Sequence, residues 1–184
     1  MSFSLDDELI LKQEDTKKKF RIYDINGMDV KLELADSFDR QSEIANTVKA
    51  DMELFKSMGK LMTPEEVEIY QEVSSNFPLR EATLIRILQI AENRLDILEL
   101  QKKQLTYIRK DEFRKKHKIH LGTKDDVEAA LLSYDRLFEE AVVQLNIQKN
   151  YVDYLRNTLP QYAFVDKRLS SKLQGSKWMK EVLY

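Results

Sequence analysis

Apolar residues recur at alternating steps of four and three along two long stretches of the chain. The first stretch comprises Leu84, Leu88, Ala91, Leu95, Leu98, Lys102, Leu105 and Arg109, and the second comprises Val127, Leu131, Tyr134, Phe138, Ala141, Leu145, Gln148, Val152, Leu155 and Leu159. A heptad pattern of this length favours left-handed coiled-coil packing. The link around His120 and Gly122 is short, and a short link makes neighbouring helices antiparallel. We therefore predict an antiparallel coiled-coil helical hairpin over residues 79–159, roughly 50 Å long.

Apolar and polar residues alternate between Phe20 and Leu34, on both sides of Asn26-Gly27. Asn-Gly supplies the two positive-φ positions of a tight primed turn, so this segment predicts a β-hairpin at about 20–34. A lone hairpin is marginally stable in water and should pack on a helix or pair with a hairpin of another subunit. The preceding run of lysines at 17–19 is interpreted as a solvated arm.

Two shorter helices are predicted between this hairpin and the heptads. Apolar steps predict the first between Asp36 and about Lys60; they comprise Val48, Met52 and Phe55. The sequence Thr63-Pro64-Glu65-Glu66 combines a capping box with a proline at the first helical position, which predicts a helix start. This second helix should end near Asn76, ahead of Pro78.

The last heptad helix should begin with a capping box formed by Thr123 and Asp126 and should end at Pro160. A short helix is expected after it, closed by Gly175. The predicted organisation is therefore an N-terminal region at 1–78, the coiled-coil hairpin at 79–159, and a short C-terminal helix and tail at 160–184.

Composition agrees with a mainly α fold class. Charged residues make up 34% of the chain and hydrophobic residues 42%, with only four Gly and three Pro, which is typical of long solvated helices. No cysteine is present, which excludes disulfides and thiolate metal sites. The sequence has no long apolar run, and its acidic start at 6–8 is unlike a signal peptide. We expect a cytoplasmic protein, in the host cytoplasm if it is viral, with no membrane contact.

Candidate chemistry is sparse. The four glycines are isolated, so no phosphate-binding loop is predicted. His117 and His120 lie among lysines that would repel a cation, and no Glu-x-x-His pair is present for a metal in a helical bundle. No local motif places a nucleophile beside a base. We expect a protein without metal or cofactor that is not an enzyme.

Charge is distributed unevenly, with 13 Lys/Arg and 21 Asp/Glu in residues 1–100 but 17 and 11 in residues 101–184. Within 102–118 only Asp111 and Glu112 oppose eight basic residues: Lys102, Lys103, Arg109, Lys110, Arg114, Lys115, Lys116 and Lys118. These residues either solvate the helices or bind nucleic acid phosphates, with Tyr107 and Phe113 as stacking surfaces for unpaired bases. Without a recognition helix or zinc finger, the second alternative favours single strands.

A second mixture of basic and aromatic residues follows Pro160. It comprises Tyr162, Phe164, Lys167, Arg168, Lys172, Lys177, Trp178 and Lys180. The repetition strengthens the interpretation as a nucleic acid interface, although Phe164 and Trp178 are equally suited to a core or to a protein interface.

The second half of the chain resembles the recombination-mediator family of large tailed phages. The matching segments are Gln101-Lys102-Lys103, Leu132-Ser133-Tyr134-Asp135, Val152-Asp153-Tyr154-Leu155, Phe164-Val165-Asp166-Lys167-Arg168 and Gly175. The resemblance implies a ring-like homo-oligomer that binds single-stranded DNA and helps to load a recombinase, with Lys102, Lys103 and Arg109 as the first contacts. Residues 1–80 have no counterpart in that family.

Other functions fit the same residues. A phage structural, scaffolding or assembly protein would use the coiled coil and the β-hairpin for protein contacts only, and neutralising the basic residues would then leave its function intact. A regulator that docks the acidic N-terminal half on an enzyme is a third alternative. A homo-oligomer and a protein partner are expected in each case.

Overall fold

The computed structural model describes residues 10–25, 27–57, 64–117 and 123–183. The described residues are mainly helical, which confirms the mainly α class, whereas the coiled-coil packing of the hairpin stays a prediction. Over the described residues the elements are β1 (Ile10–Asp15), β2 (Phe20–Ile25), β3 (Met28–Glu33), α1 (Phe38–Ser57), α2 (Pro64–His117), α3 (Lys124–Tyr134) and α4 (Arg136–Leu183).

Two compact units divide the chain. Residues 1–37 and 91–150 form one, called the sheet unit below, and residues 38–90 and 151–184 form the other, called the α1 unit. Each unit joins segments that are distant in sequence, whereas the sequence prediction divided the chain into three consecutive regions.

The predicted β-hairpin is present as the antiparallel pair β2 and β3, with Tyr23 opposite Val30 and Ile25 opposite Met28. Gly27 has a φ of +82°, as a tight turn requires, and its N–H donates to Asp24 Oδ1 at 2.7 Å. Asn26, the other predicted turn residue, lies outside the described residues. The turn chemistry therefore predicted this pairing from local sequence alone.

β1 was not predicted, and it makes the sheet three-stranded in the order β1-β2-β3. Its residues do not alternate, and most of them are exposed. Lys12 Nζ links β1 to both other strands by contacts of 2.7 Å with Asp24 of β2 and 2.6 Å with Asp29 of β3, which raise the pKa of Lys12 to about 12. The lysine run at 17–19 lies in the turn between β1 and β2. Lys17 and Lys18 are exposed, as predicted for a solvated segment, but the Lys19 ammonium is paired with the buried carboxylate of Asp36.

Both prolines that were predicted to end helices lie inside them. α2 continues through Pro78 and α4 continues through Pro160, so those predictions were wrong, as was the helix end at Gly175. An internal proline costs about 3 kcal/mol. The buried aromatic neighbours Phe77 and Tyr162 offset this cost, since burial of such a side chain contributes about 1.5–3 kcal/mol. Pro64 does begin α2, while Thr63 lies outside the described residues.

The predicted second heptad helix is interrupted at Asp135, the single residue between α3 and α4. Its φ of −123° and ψ of 100° are extended, and its Oδ1 accepts hydrogen bonds from the N–H groups of Leu137 and Phe138, each at 3.1 Å. Asp135 therefore ends α3 and caps α4. The capping box of Thr123 and Asp126 is confirmed at the start of α3, and its hydrogen bonds lower the pKa of Asp126.

Tertiary pairs show which way α3 and α4 run along α2. In order along α2 they are Ala91 with Gln148, Lys102 with Glu128, Arg109 with Asp135, and Phe113 with Tyr134. The partners ascend in number along α3 but descend along α4, so α3 runs in the direction of α2 and α4 runs against it. The chain reverses at Asp135, and the predicted straight helix is wrong over residues 124–134.

The sheet packs on helices of its own chain, which decides between the two alternatives left open by the sequence. Tyr23, Ile25 and Leu32 are buried in one cluster with residues of α2, α3 and α4. The helical members are Leu105, Phe113, Val127, Leu131, Leu137, Phe138 and Ala141. This cluster is the core of the sheet unit.

Glutamine side chains bind the outer edge and exit of β3. Three backbone N–H groups each donate to a glutamine Oε1: Glu33 to Gln101 at 2.6 Å, Ala35 to Gln144 at 3.0 Å, and Asp36 to Gln148 at 2.8 Å. Arg94 adds a hydrogen bond from Nε to the Leu34 carbonyl at 2.7 Å. The helices thus satisfy backbone groups that an edge strand would otherwise leave unpaired.

In the α1 unit, Tyr162 of α4 connects the helices. Its ring stacks on Phe77 with centroids 5.0 Å apart, and its hydroxyl donates to Asp51 Oδ2 at 2.6 Å. Asp51 is buried and is also paired with Arg80. Burial raises the pKa of Tyr162.

Tyr162→Phe is expected to lower the free energy of unfolding by about 2 kcal/mol at neutral pH, because a hydrogen bond to a buried carboxylate is lost. The raised pKa means that the folded state holds the phenolic proton more tightly than the unfolded chain. The contribution is therefore complete below the unfolded tyrosine pKa of about 10 and is lost as the pH rises through the folded value. Chemical denaturation of both proteins at pH 7 and at rising alkaline pH measures it. A stability difference that is zero at pH 7, or that grows with alkali, contradicts this prediction.

Candidate nucleic acid interface

The C-terminal part of α2 presents four residues on one face, because steps of four, three and four residues return to the same side of a helix. These are Lys103, Tyr107, Lys110 and Arg114, called the basic stripe below. Tyr107 is 74% exposed, Lys103 is exposed, and Lys110 and Arg114 are half-buried. The stripe spans roughly 16 Å at the helical rise. Lys115, beside its end, is also exposed.

The ends of the stripe differ in charge. Asp96 and Glu99 lie on the same side of α2, one to two turns before Lys103, and Asp111 is exposed at its flank. Glu112 is paired with Arg109 at 2.7 Å. Positive charge is therefore concentrated towards the carboxyl end of α2.

Two of the predicted contacts, Lys102 and Arg109, lie elsewhere. Lys102 Nζ is paired with Glu128 of α3 at 2.7 Å. The Arg109 side chain is only 5% exposed and forms a bidentate pair with Asp135, through Nε and through Nη2 at 3.2 Å. A buried guanidinium with carboxylate partners joins helices, so Arg109 does not lie on the solvent-exposed surface where a phosphate contact was predicted.

The two aromatic residues also separate. Tyr107 is exposed, whereas Phe113 is 2% exposed and stacks on Tyr134 at a centroid distance of 6.0 Å. Phe113 is therefore a core residue, and its predicted role as a base-stacking surface is wrong. The side chains of Lys116 and Lys118 lie outside the described residues.

The second basic and aromatic cluster lies in the α1 unit and is also divided. Tyr162 is buried, while Phe164 is 58% exposed with the Arg168 guanidinium 5.0 Å from its ring centroid. Lys167 is exposed. The side chains of the remaining predicted members lie outside the part of the chain that the structure describes; these are Lys172, Lys177, Trp178 and Lys180.

A cavity of about 320 Å³ adjoins the stripe in the sheet unit. Its lining comes from three helices and comprises Glu99, Lys102, Lys103, Thr106, Glu128 and Leu145. Lys103 belongs both to the cavity wall and to the stripe, so the stripe begins where α3 closes over α2.

The sequence interpretation missed Asp135, which fixes the position of Arg109. One local signal was available, because aspartate is among the preferred residues at a helix N-cap. The unbroken heptad pattern across 127–138 concealed it.

Comparisons with known proteins add no relative. No protein-family model matches the chain, and neither the curated proteins nor the solved structures give a match. Among the helices that the structure describes, none combines the length and the apolar character needed to cross a membrane. The function must therefore be argued from the residues themselves.

Proposed function

We propose that this protein is a non-enzymatic, homo-oligomeric protein that binds single-stranded DNA through the basic stripe. The observation that carries the proposal is the exposed Tyr107 between Lys103 and Lys110 on one solvent-facing side of α2. The resemblance of the second half to phage recombination mediators supports a role in assisting recombinase loading.

Phosphate contacts and base stacking would share the binding energy. Each phosphate neutralised on a single strand lowers the slope of log K against log salt by about 0.7, so three or four cations give a slope of roughly −2 to −3 per subunit. Stacking of one base on Tyr107 would add about 1–3 kcal/mol. Such contacts read no sequence, and a double helix would hide the bases from Tyr107.

Oligomerisation would multiply these weak contacts. Exposed apolar side chains on α2 support self-association, and in the sheet unit they are Ile97, Leu100 and Ile108. We propose that the heptads of α2 and α4 form the coiled-coil hairpin of each subunit and that these residues lie between subunits.

Combined replacement of Lys103, Lys110 and Lys115 by alanine is expected to weaken binding of a labelled oligo-dT by at least tenfold at about 50 mM salt and to flatten its salt dependence. Tyr107→Ala should weaken binding by about 1–3 kcal/mol with the salt slope unchanged, because it removes stacking alone. Fluorescence anisotropy at about 50 and about 200 mM salt, with single-stranded and duplex probes, measures both effects.

The matched control replaces Lys17, Lys49 and Lys149, which are exposed and lie outside both basic clusters, so the net charge changes equally. Equal losses in the two triple variants would show that net charge, and not the stripe, binds DNA. No binding by the unaltered protein at low salt would overturn the proposal.

The exposed apolar residues also favour a second candidate, a phage structural, scaffolding or assembly protein that acts through protein contacts. In that case the double variant Ile97→Glu and Ile108→Glu should abolish assembly and lower the mass of the oligomer in sedimentation. The variant that replaces Lys103, Lys110 and Lys115 should still assemble. The two candidates therefore predict opposite results for the variant that replaces Lys103, Lys110 and Lys115.

A further inference from the structure

The heptad pattern of the second helix continues across the break at Asp135. Val127, Leu131, Tyr134, Phe138 and Ala141 keep steps of four and three, as one uninterrupted helix would require. The structure instead folds α3 back at a single extended residue. Local sequence and tertiary structure thus favour different arrangements of the same segment.

Two charged contacts with α2 hold α3 in the folded-back position. Arg109 pairs with Asp135 at the reversal, and Lys102 pairs with Glu128 in the middle of α3. Asp135 also caps α4, so one carboxylate both ends α3 and binds α2. Val127 and Leu131 are buried against the core. In a continuous helix they would fall in the seam that faces Leu105 and Phe113.

The two arrangements differ by a large distance. Glu128 and Leu145 line the same cavity when α3 is folded back. In one continuous helix, 17 residues separate them by roughly 26 Å along the axis.

We propose that α3 is a hinged latch that can straighten at Asp135 into one helix with α4, and that this movement regulates the DNA-binding surface. Straightening moves the Glu128 carboxylate of α3 away from Lys102, whereas Arg109 keeps its pair with Glu112 on α2. Lys102, next to the basic stripe, then loses its α3 partner, which strengthens the positive field that attracts a polyanion. The regulatory part rests on the proposed function, whereas the hinge itself does not.

Asp135→Ala tests the hinge, because alanine cannot cap α4 and is the best helix former. The chain has no cysteine, so spin labels can be placed by Ala129→Cys and Asn146→Cys, two exposed positions next to the cavity pair. Pulsed electron-spin resonance should give a short distance in the otherwise unaltered protein and a new component near 26 Å in the Asp135→Ala protein.

Glu139→Ala is the matched control, since it removes the same charge from an exposed position in the first turn of α4. It should keep the short distance. Asp135→Asn is a second variant, which keeps a good N-cap but loses the charge. Its fraction of distances near 26 Å should be smaller than that of the Asp135→Ala protein. Only short distances in both Asp135 variants, with native helicity by circular dichroism, would overturn the hinge.

Oligo-dT binding tests the regulation separately. Asp135→Ala should bind several-fold more tightly than the Glu139→Ala protein, and oligo-dT should increase the long component in the protein with native Asp135. If the distance near 26 Å appears but neither tighter oligo-dT binding nor an increase on adding oligo-dT is seen, the regulatory role is overturned and the hinge remains. Absence of DNA binding by every variant would overturn the proposed function, while the distances still decide the hinge.

Discussion

Arg109→Met is expected to lower the free energy of unfolding by about 3–5 kcal/mol, the usual effect of removing one partner from a buried ion pair. Methionine preserves the apolar stem of arginine but leaves the Asp135 carboxylate, which has a fully buried side chain, without its countercharge. The loss should appear in urea denaturation followed by circular dichroism.

Arg156→Met is the control, because Arg156 is about half exposed and its contact with Asp153 is 4.0 Å long. Surface pairs of this kind contribute about 0–1 kcal/mol. If Arg109→Met costs no more than the control, the buried pair does not hold the helices together. Arg109 would then again be a candidate for DNA contact, as the family resemblance implies.

Gln148→Leu is expected to cost about 3 kcal/mol or more, since each buried polar group left without a partner costs about 1–3 kcal/mol. The side chain accepts from the Asp36 N–H at 2.8 Å and donates to Asp36 Oδ2 and to the Ala91 carbonyl, each at 2.9 Å. Leucine has a similar volume and can satisfy none of the three.

Asn146→Leu makes a comparable change at an exposed position of α4, where surface substitutions alter stability by at most about 0.5 kcal/mol. Equal stability of the two variants would refute the role assigned to Gln148. Hydrogen exchange of the Asp36 amide gives an independent measurement, because that N–H should lose protection only in the Gln148 variant.

These two variants show what the heptad pattern could and could not reveal. Both Arg109 and Gln148 occupy predicted seam positions and both are buried, although the sequence analysis assigned the Arg109 charge to solvent or to a phosphate. Their partners, Asp135 and Asp36, lie 26 and 112 residues away in sequence. No periodicity encodes such pairs, because they form only when distant segments meet.

The residues proposed to bind DNA are divided in the same way between what the sequence indicated and what tertiary contacts decided. Sequence composition identified the basic part of α2, including Lys102, Lys103 and Lys110. Tertiary contacts then divided these residues, because Glu128 of α3 pairs with Lys102 and Asp135 pairs with Arg109, whereas Lys103 and Tyr107 are exposed.

The sequence by itself determined the helical fold class, the β2–β3 pairing and the capping box at Thr123. These features depend on turn chemistry, periodicity and hydrogen bonds between residues close in the chain. Only the tertiary structure decided that β1 joins the sheet, that α2 and α4 continue through their prolines, and that the chain reverses at Asp135. Each of these rests on a long-range contact, made by Lys12, by the Phe77–Tyr162 stack and by Arg109 respectively. Such contacts override local helix and strand signals, because a few kcal/mol from tertiary packing exceeds the preference of a single residue.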